Sequence, residues 1–139
     1  MELRSVPEAD NTARIYQILD AQRQQLFDGL ETVPSATYSF ALYDEGQWQG
    51  GAVASLYGNT LHLASLGVVS QRRRAGLGRQ LMAELEKIAA RERCRYITVC
   101  TQAHQALGFY QRCGFEIFGE LVDCPFVGTT KYYLKKERD

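Results

Sequence analysis

Between Val68 and Arg79 the chain reads Val-Val-Ser-Gln-Arg-Arg-Arg-Ala-Gly-Leu-Gly-Arg, an apolar run joined to a helical pattern through glycines and unopposed positive charge. A helix N-terminus already carries about half a positive charge and several backbone N–H groups without acceptors. Arg73, Arg74 and Arg79 therefore stand at the end of a helix that repels them. Gly76 and Gly78 add a second penalty, since each glycine in a helical turn costs about 1 kcal/mol against alanine. A phosphate or pyrophosphate relieves both, because it takes free N–H groups, close backbone approach and positive charge together. Runs of arginine also occur in solvated turns, but the two glycines and the helix they open favour an anion site.

The rest of the composition narrows the setting. A chain of 139 residues with 45% apolar content suits one domain spanning 1–139. Sixteen basic residues balance sixteen acidic ones, so no global field favours nucleic acid or an anionic membrane, and the arginine cluster is a local device. The first residues, Met1 to Val6, lack the apolar core of a signal peptide, and no segment is apolar enough to span a membrane; a cytoplasmic protein is expected. Cys94, Cys100, Cys113 and Cys124 have neither the spacing nor the histidine partners of a zinc site, so no metal is expected and the thiols read as small hydrophobes.

Periodicity supplies the elements. Glu2 to Val6 reads as a short strand, and Pro7 opens an amphipathic helix with apolar Ala13, Ile15, Ile18, Leu19, Leu26 and Leu30. Tyr38–Tyr43, Trp48–Tyr57 and Thr60–Val69 form a meander with turns at Asp44-Glu45-Gly46 and Gly58-Asn59, and even alternation puts Leu61 and Leu63 opposite His62, Leu66 and Val68. Leu77, Leu81, Met82, Leu85, Ile88 and Ala89 make one helical stripe, with Glu84, Glu86, Lys87 and Arg91 facing water. Tyr96–Cys100 suits a buried strand parallel to the one before the helix, completing a βαβ unit. A short helix over Gln105–Arg112 and closing strands at Phe115–Val122 and Thr129–Lys135 give a mixed sheet with a parallel pair at its centre, whose last strands offer an edge for a homodimer.

The residues then suggest a family. Arg73-Arg74-Ala75-Gly76-Leu77-Gly78, placed after an apolar strand and opening a helix, resembles the (Q/R)-x-x-G-x-(G/A) acyl-CoA signature of the GNAT acetyltransferase superfamily. Gln105 to Glu116, with Phe109-Tyr110 ahead of Gly114-Phe115, resembles the second signature of that superfamily, and the C-terminal segment looks like its small bacterial branch. The resemblance implies an α/β fold, a mixed sheet of about six to seven strands with the parallel pair at a V-shaped cofactor cleft, flanked by about three to four helices.

It further implies acetyl-CoA as cofactor and transfer of its acetyl group to a primary amine of a small molecule or peptide by direct attack on the thioester. Backbone N–H groups from Arg74 through Ala75, Gly76, Leu77, Gly78 and Arg79 would cradle the pyrophosphate while Arg73 braces the loop. Leu66, Gly67 and Val68 would pair with the pantetheine arm, the Val68 N–H facing the thioester oxygen where charge develops. Phe109 and Tyr110 would stand beside the sulfur, with Tyr110 protonating the departing thiolate; its plain alternative is a ring packed in the core.

Where many family members place an asparagine on the cofactor this chain has Ala103, with Thr101, Gln102 and Gln105 nearby. No carboxylate base stands on the strand from Thr60 to Val69, and His104 is a weaker candidate for the cleft than His62 is for plain strand packing. Asp28, Glu116, Glu120 and Asp123 are acidic candidates for attracting an amine. Two rivals remain: a non-catalytic acyl-CoA-binding or regulatory module, and a nucleotide-binding domain. The second is disfavoured because Gly76-Leu77-Gly78-Arg79 has neither the Walker lysine nor the third glycine of a dinucleotide fingerprint.

Overall fold

A computed structural model describes residues 1–27, 33–73 and 75–138, and the chain divides into two compact units, Met1–Val33 and Pro34–Asp139. Among its described residues the first unit carries one helix, α1 (Glu8–Leu26). Pro7, with φ −60°, precedes it and its carbonyl accepts the Asn11 N–H at 3.2 Å. Glu8 and Asp10 in the first turn and Arg23 in the last agree with the helix dipole. The strand expected over Glu2–Val6 does not form. A strand exists only through a ladder, and the described residues of Met1–Val33 hold no second strand to pair with; Arg4 Nε instead donates to Glu2 Oε1 at 2.9 Å. Leu30 and Asp28 lie outside the described residues.

The second unit opens with the expected meander, β1 (Ser35–Asp44), β2 (Gln47–Tyr57) and β3 (Thr60–Val68). Its first turn has Glu45 and Gly46 both at positive φ, 48° and 78°, the handedness that matches the twist of two flanking strands. A 3₁₀ turn at Ser70–Arg72 leads to α2 (Leu77–Arg91), then β4 (Tyr96–Gln102), α3 (Leu107–Arg112), β5 (Glu116–Val122) and β6 (Thr130–Glu137). The six strands run in the order β1-β2-β3-β4-β6-β5, with β3 and β4 the parallel pair.

All of Leu77, Leu81, Met82, Leu85, Ile88 and Ala89 on α2 are buried, and Met82, Leu85, Ile88 and Ala89 share one core with Ala52, Ala54, Leu56, Leu61, Leu63, Ile97, Val99 and Leu134 of the sheet. Burial of each leucine or isoleucine contributes about 1.5–3 kcal/mol. Glu86 departs from the water-facing role its position suggested. It is half-buried and ion-paired with Lys136 Nζ at 2.7 Å and with Arg138, tying α2 to the last strand and the residue after it.

Candidate active site

β3 and β4 share a ladder only from Thr60–Leu63 to Tyr96–Val99. Just past it, Val53 faces Ser65 while Ala54 faces Leu63, so Ala64 is an extra residue on β3. Such a bulge bends its strand and sharpens the twist. Beyond it the two parallel strands are unpaired, and a cleft of 1010 Å³ lies against their C-terminal halves, the start of α2 and the face of α3. The bulge also corrects the even alternation: Leu66 packs on the core with Leu61 and Leu63 instead of opposing them.

The backbone of β3 beyond the bulge is turned to the cleft. Val69 N–H donates to the Gln49 carbonyl at 2.9 Å, which makes the Val68–Gly50 pair one that exchanges no hydrogen bonds. The N–H and C=O of Val68 therefore point away from β2, and those of Leu66, two residues earlier in the same register, do likewise. Between them, a side chain at Gly67 would meet no atom within 4 Å, so the wall is open to an incoming chain of atoms.

At the adjoining mouth of α2, Gly76 takes the left-handed conformation at φ 81° as N-cap, and its carbonyl accepts the Gln80 N–H at 3.1 Å. The N–H groups of Leu77, Gly78 and Arg79 precede that first intrahelical bond, no side chain caps them, and no acidic residue stands in the first turn. Leu77 is buried and anchors the turn; Ala75, Gly76 and Arg79 are exposed. Arg73 lines the cleft, and Arg74 lies outside the described residues. Beside it Arg72 braces the loop: its Nη1 donates to Asp44 Oδ2 at 3.0 Å, fastening the loop to the end of β1. A salt bridge between positions 28 residues apart leaves no local pattern in the sequence.

Across the cleft, Tyr110 and Phe109 sit on α3. Tyr110 is buried, its ring edge-on to Phe109 at 5.3 Å and to Phe115 at 5.8 Å. Burial, with Cys113 adding, pushes its phenol up to about 12. The phenol thus combines both sequence readings, packed in the core and lining the cleft, and it keeps its proton at any physiological pH. Phe109 reaches over the first turn of α2, where a methyl on Gly78 would lie 3.1 Å from its ring.

The remaining candidates divide. Cys100 and His104 line the cleft, whereas Glu116, Glu120 and Asp123 do not. Asp123 Oδ1 accepts the Gly128 N–H at 2.9 Å and closes its own loop. Thr101, Gln102 and Gln105 serve the β4–α3 loop: Thr101 Oγ1 accepts the Ala106 N–H at 3.4 Å and Gln105 Oε1 the Gln102 N–H at 3.2 Å. Ala103 donates its N–H to the Thr130 carbonyl at 3.1 Å. His62, on β3, bonds through Nδ1 to Thr98 Oγ1 at 2.8 Å, the strand role expected of it. Arg112, on the exposed face of α3, is a cleft residue that the sequence did not single out.

The family model described as "Acetyltransferase (GNAT) family" matches residues 3–115. The chain belongs to the GNAT acetyltransferase family. A blasticidin-S acetyltransferase from Streptomyces morookaense is 36% identical over 110 residues, 78% of this chain and 80% of that protein. The crystal structure of an acetyltransferase from Bacillus cereus superposes with a TM-score of 0.87 at 25% identity, covering 99% of this chain and 98% of the other. An aminoglycoside 6'-N-acetyltransferase solved with coenzyme A shares the fold, with a TM-score of 0.67 at 19% identity over 99% and 97% of the two chains. GNAT acetyltransferases use acetyl-CoA, and the cleft suits it chemically. An uncapped helix start, four arginines and a strand edge with unpaired backbone meet in one cavity that no described Asp or Glu lines.

Proposed function

We propose that the chain is a cytoplasmic N-acetyltransferase, one domain across residues 1–139, that moves the acetyl group of acetyl-CoA to a primary amine by direct attack. The observation that carries this reading is the convergence of the cleft-facing Val68 N–H with the uncapped start of α2 and the buried Tyr110 in one cavity. A strand edge that binds an extended arm, a helix start that binds its diphosphate and a neutral phenol between them match the three parts of an acyl carrier. The blasticidin-S relative favours a small molecule over a peptide as acceptor.

In this reading the N–H groups of Leu77, Gly78 and Arg79, with Arg73 and Arg79 side chains, hold the diphosphate. Leu66 and Val68 hold the arm through their backbone, and Gly67 leaves room for it. Bound acetyl-CoA supplies an activated thioester carbonyl. Val68 offers a fixed N–H to the oxygen on which negative charge grows, which costs no reorganisation during reaction. Tyr110 holds its proton ready for the sulfur that leaves. Because no side chain of the cleft is asked to become acylated, the enzyme needs one binary and one ternary complex.

Calorimetry with coenzyme A, ATP and NAD, followed by thiol-release assays with panels of amines and alcohols, tests the proposal. We expect heat from coenzyme A alone and acetyl-CoA-dependent product on nitrogen. Binding without thiol release from any acceptor makes the chain an acyl-CoA-binding regulatory module, and product on oxygen overturns the amine assignment.

A further inference from the structure

The cleft has an acid in Tyr110 and an N–H donor in Val68, yet an amine that arrives as ammonium must also lose a proton. Among the described residues lining the cleft, the titratable side chains are Arg72, Arg73, Arg79, Cys100, His104, Tyr110 and Arg112. Guanidinium does not give up its proton in proteins, and the Tyr110 phenol is held neutral by burial. A carboxylate is absent from the set. Imidazole is the side chain that exchanges protons near neutrality.

The fold also gives His104 a partner. It stands in the loop between β4 and α3, where Thr129, buried at the base of the β5–β6 loop, reaches it: Thr129 Oγ1 and His104 Nδ1 are 3.5 Å apart. The Thr129 hydroxyl proton is already committed, since Oγ1 donates to Gln102 Oε1 at 2.7 Å. A hydroxyl has one proton and two lone pairs, so toward His104 it is an acceptor. A ring proton on Nδ1 satisfies that contact and leaves Nε2 with its lone pair. Gln102 is in turn held through its backbone N–H by Gln105.

We propose that His104 accepts the ammonium proton of the acceptor at Nε2, and that Thr129 is the positioning residue that selects the tautomer able to do so. The step moves one proton from nitrogen to Nε2, frees the nitrogen lone pair for attack, and ends when the imidazolium returns the proton to water. The inference rests on the acetyl-transfer reading. The groups that face this proton transfer are the arginines at positions 72, 73 and 79 from the loop and start of α2, Arg112 and Tyr110 from α3, and Cys100 from β4.

The tautomer can be read without any bound acyl carrier. ¹⁵N chemical shifts of the imidazoles in the full-length protein, assigned with His104→Asn, should give a protonated Nδ1 and a bare Nε2. Thr129→Val should convert this to a mixture of tautomers, and Thr129→Ser should restore it. A bare Nδ1 in the parent protein overturns the proposal whatever amine is acetylated. In turnover, His104→Asn should lower kcat by about 100-fold or more, the usual contribution of general base catalysis, and should abolish the acid limb of the pH profile. Coenzyme A affinity should stay at the parental value in the same variant. Parental kcat and an unchanged acid limb in His104→Asn sink the base assignment and leave acetyl transfer standing. If the parent protein binds coenzyme A but acetylates no amine, the transfer reading fails and this inference falls with it.

Discussion

The glycine at position 78 and the ring of Phe109 are in contact across two helices: a Cβ on Gly78 would lie 3.1 Å from the Phe109 ring. One residue therefore serves two demands, backbone access at the start of α2 and packing room for α3. Gly78→Val should weaken coenzyme A binding and also lower stability by about 1–3 kcal/mol, the usual cost of overpacking. Adding Phe109→Ala removes the clash. Denaturant melts should then show Gly78→Val less harmful to stability in the Phe109→Ala background than in the parent, while calorimetry should find coenzyme A binding still impaired. Recovery of both together would reduce Gly78 to a packing residue.

Tyr110→Phe keeps the ring contacts and removes the hydroxyl. We expect kcat to fall by about 100-fold or more with coenzyme A affinity close to parental, since the phenol acts only as the thiolate departs. Stability should diverge at high pH. The folded-state value, about 12 against an ordinary 10, is raised, so the folded protein holds the proton that the unfolded chain releases. The parent therefore loses stability as pH rises from about 10 through 12, and Tyr110→Phe should lose less over that window. Equal alkaline losses in thermal melts would contradict the burial assigned to this phenol.

Much of this arrangement was legible in the sequence because it depends on local periodicity. The stripe from Leu77 to Ala89 can bury itself only on one face, and Glu45-Gly46 can only turn in the sense that a hairpin needs. The glycine–arginine junction likewise announced an uncapped helix start. What escaped depends on partners distant in the chain. The Ala64 bulge, which turns Leu66 and frees the Val68 backbone, is a register slip against β2 that even alternation cannot reveal. Arg72 found Asp44, Glu86 found Lys136, and Glu2–Val6 found no second strand among the described residues of its own unit. Each of these was decided by tertiary pairing and not by propensity.

The Arg72–Asp44 bridge fixes a loop more than it stabilises a fold. Both side chains are about half exposed, at 41% and 52%, and pairs of that kind contribute about 0–1 kcal/mol. Asp44→Asn should therefore leave the melting temperature nearly unchanged. It should reduce coenzyme A affinity a few-fold by loosening the segment that leads into α2, and the deficit should shrink in high salt, where the parent's bridge is screened as well. A large stability loss with unaltered affinity would show the bridge to be structural only.

His62 gives the protein a sensitivity to mild acid. Its imidazole is partly buried between β3 and β4, with Nδ1 2.8 Å from Thr98 Oγ1, and burial lowers its pKa below the ordinary 6.5. Below that ordinary value the unfolded chain takes up a proton that the folded protein resists, so unfolding binds protons and stability rises with pH. The contribution is complete above about 6.5 and is lost as pH falls through the lowered folded value. His62→Gln keeps a polar partner for Thr98 and removes the titration. Thermal melts of the two proteins, compared from neutral to mildly acid pH, should show the parent losing more stability than the variant on acidification. Parallel losses would mean that the ring is hydrated in the folded state.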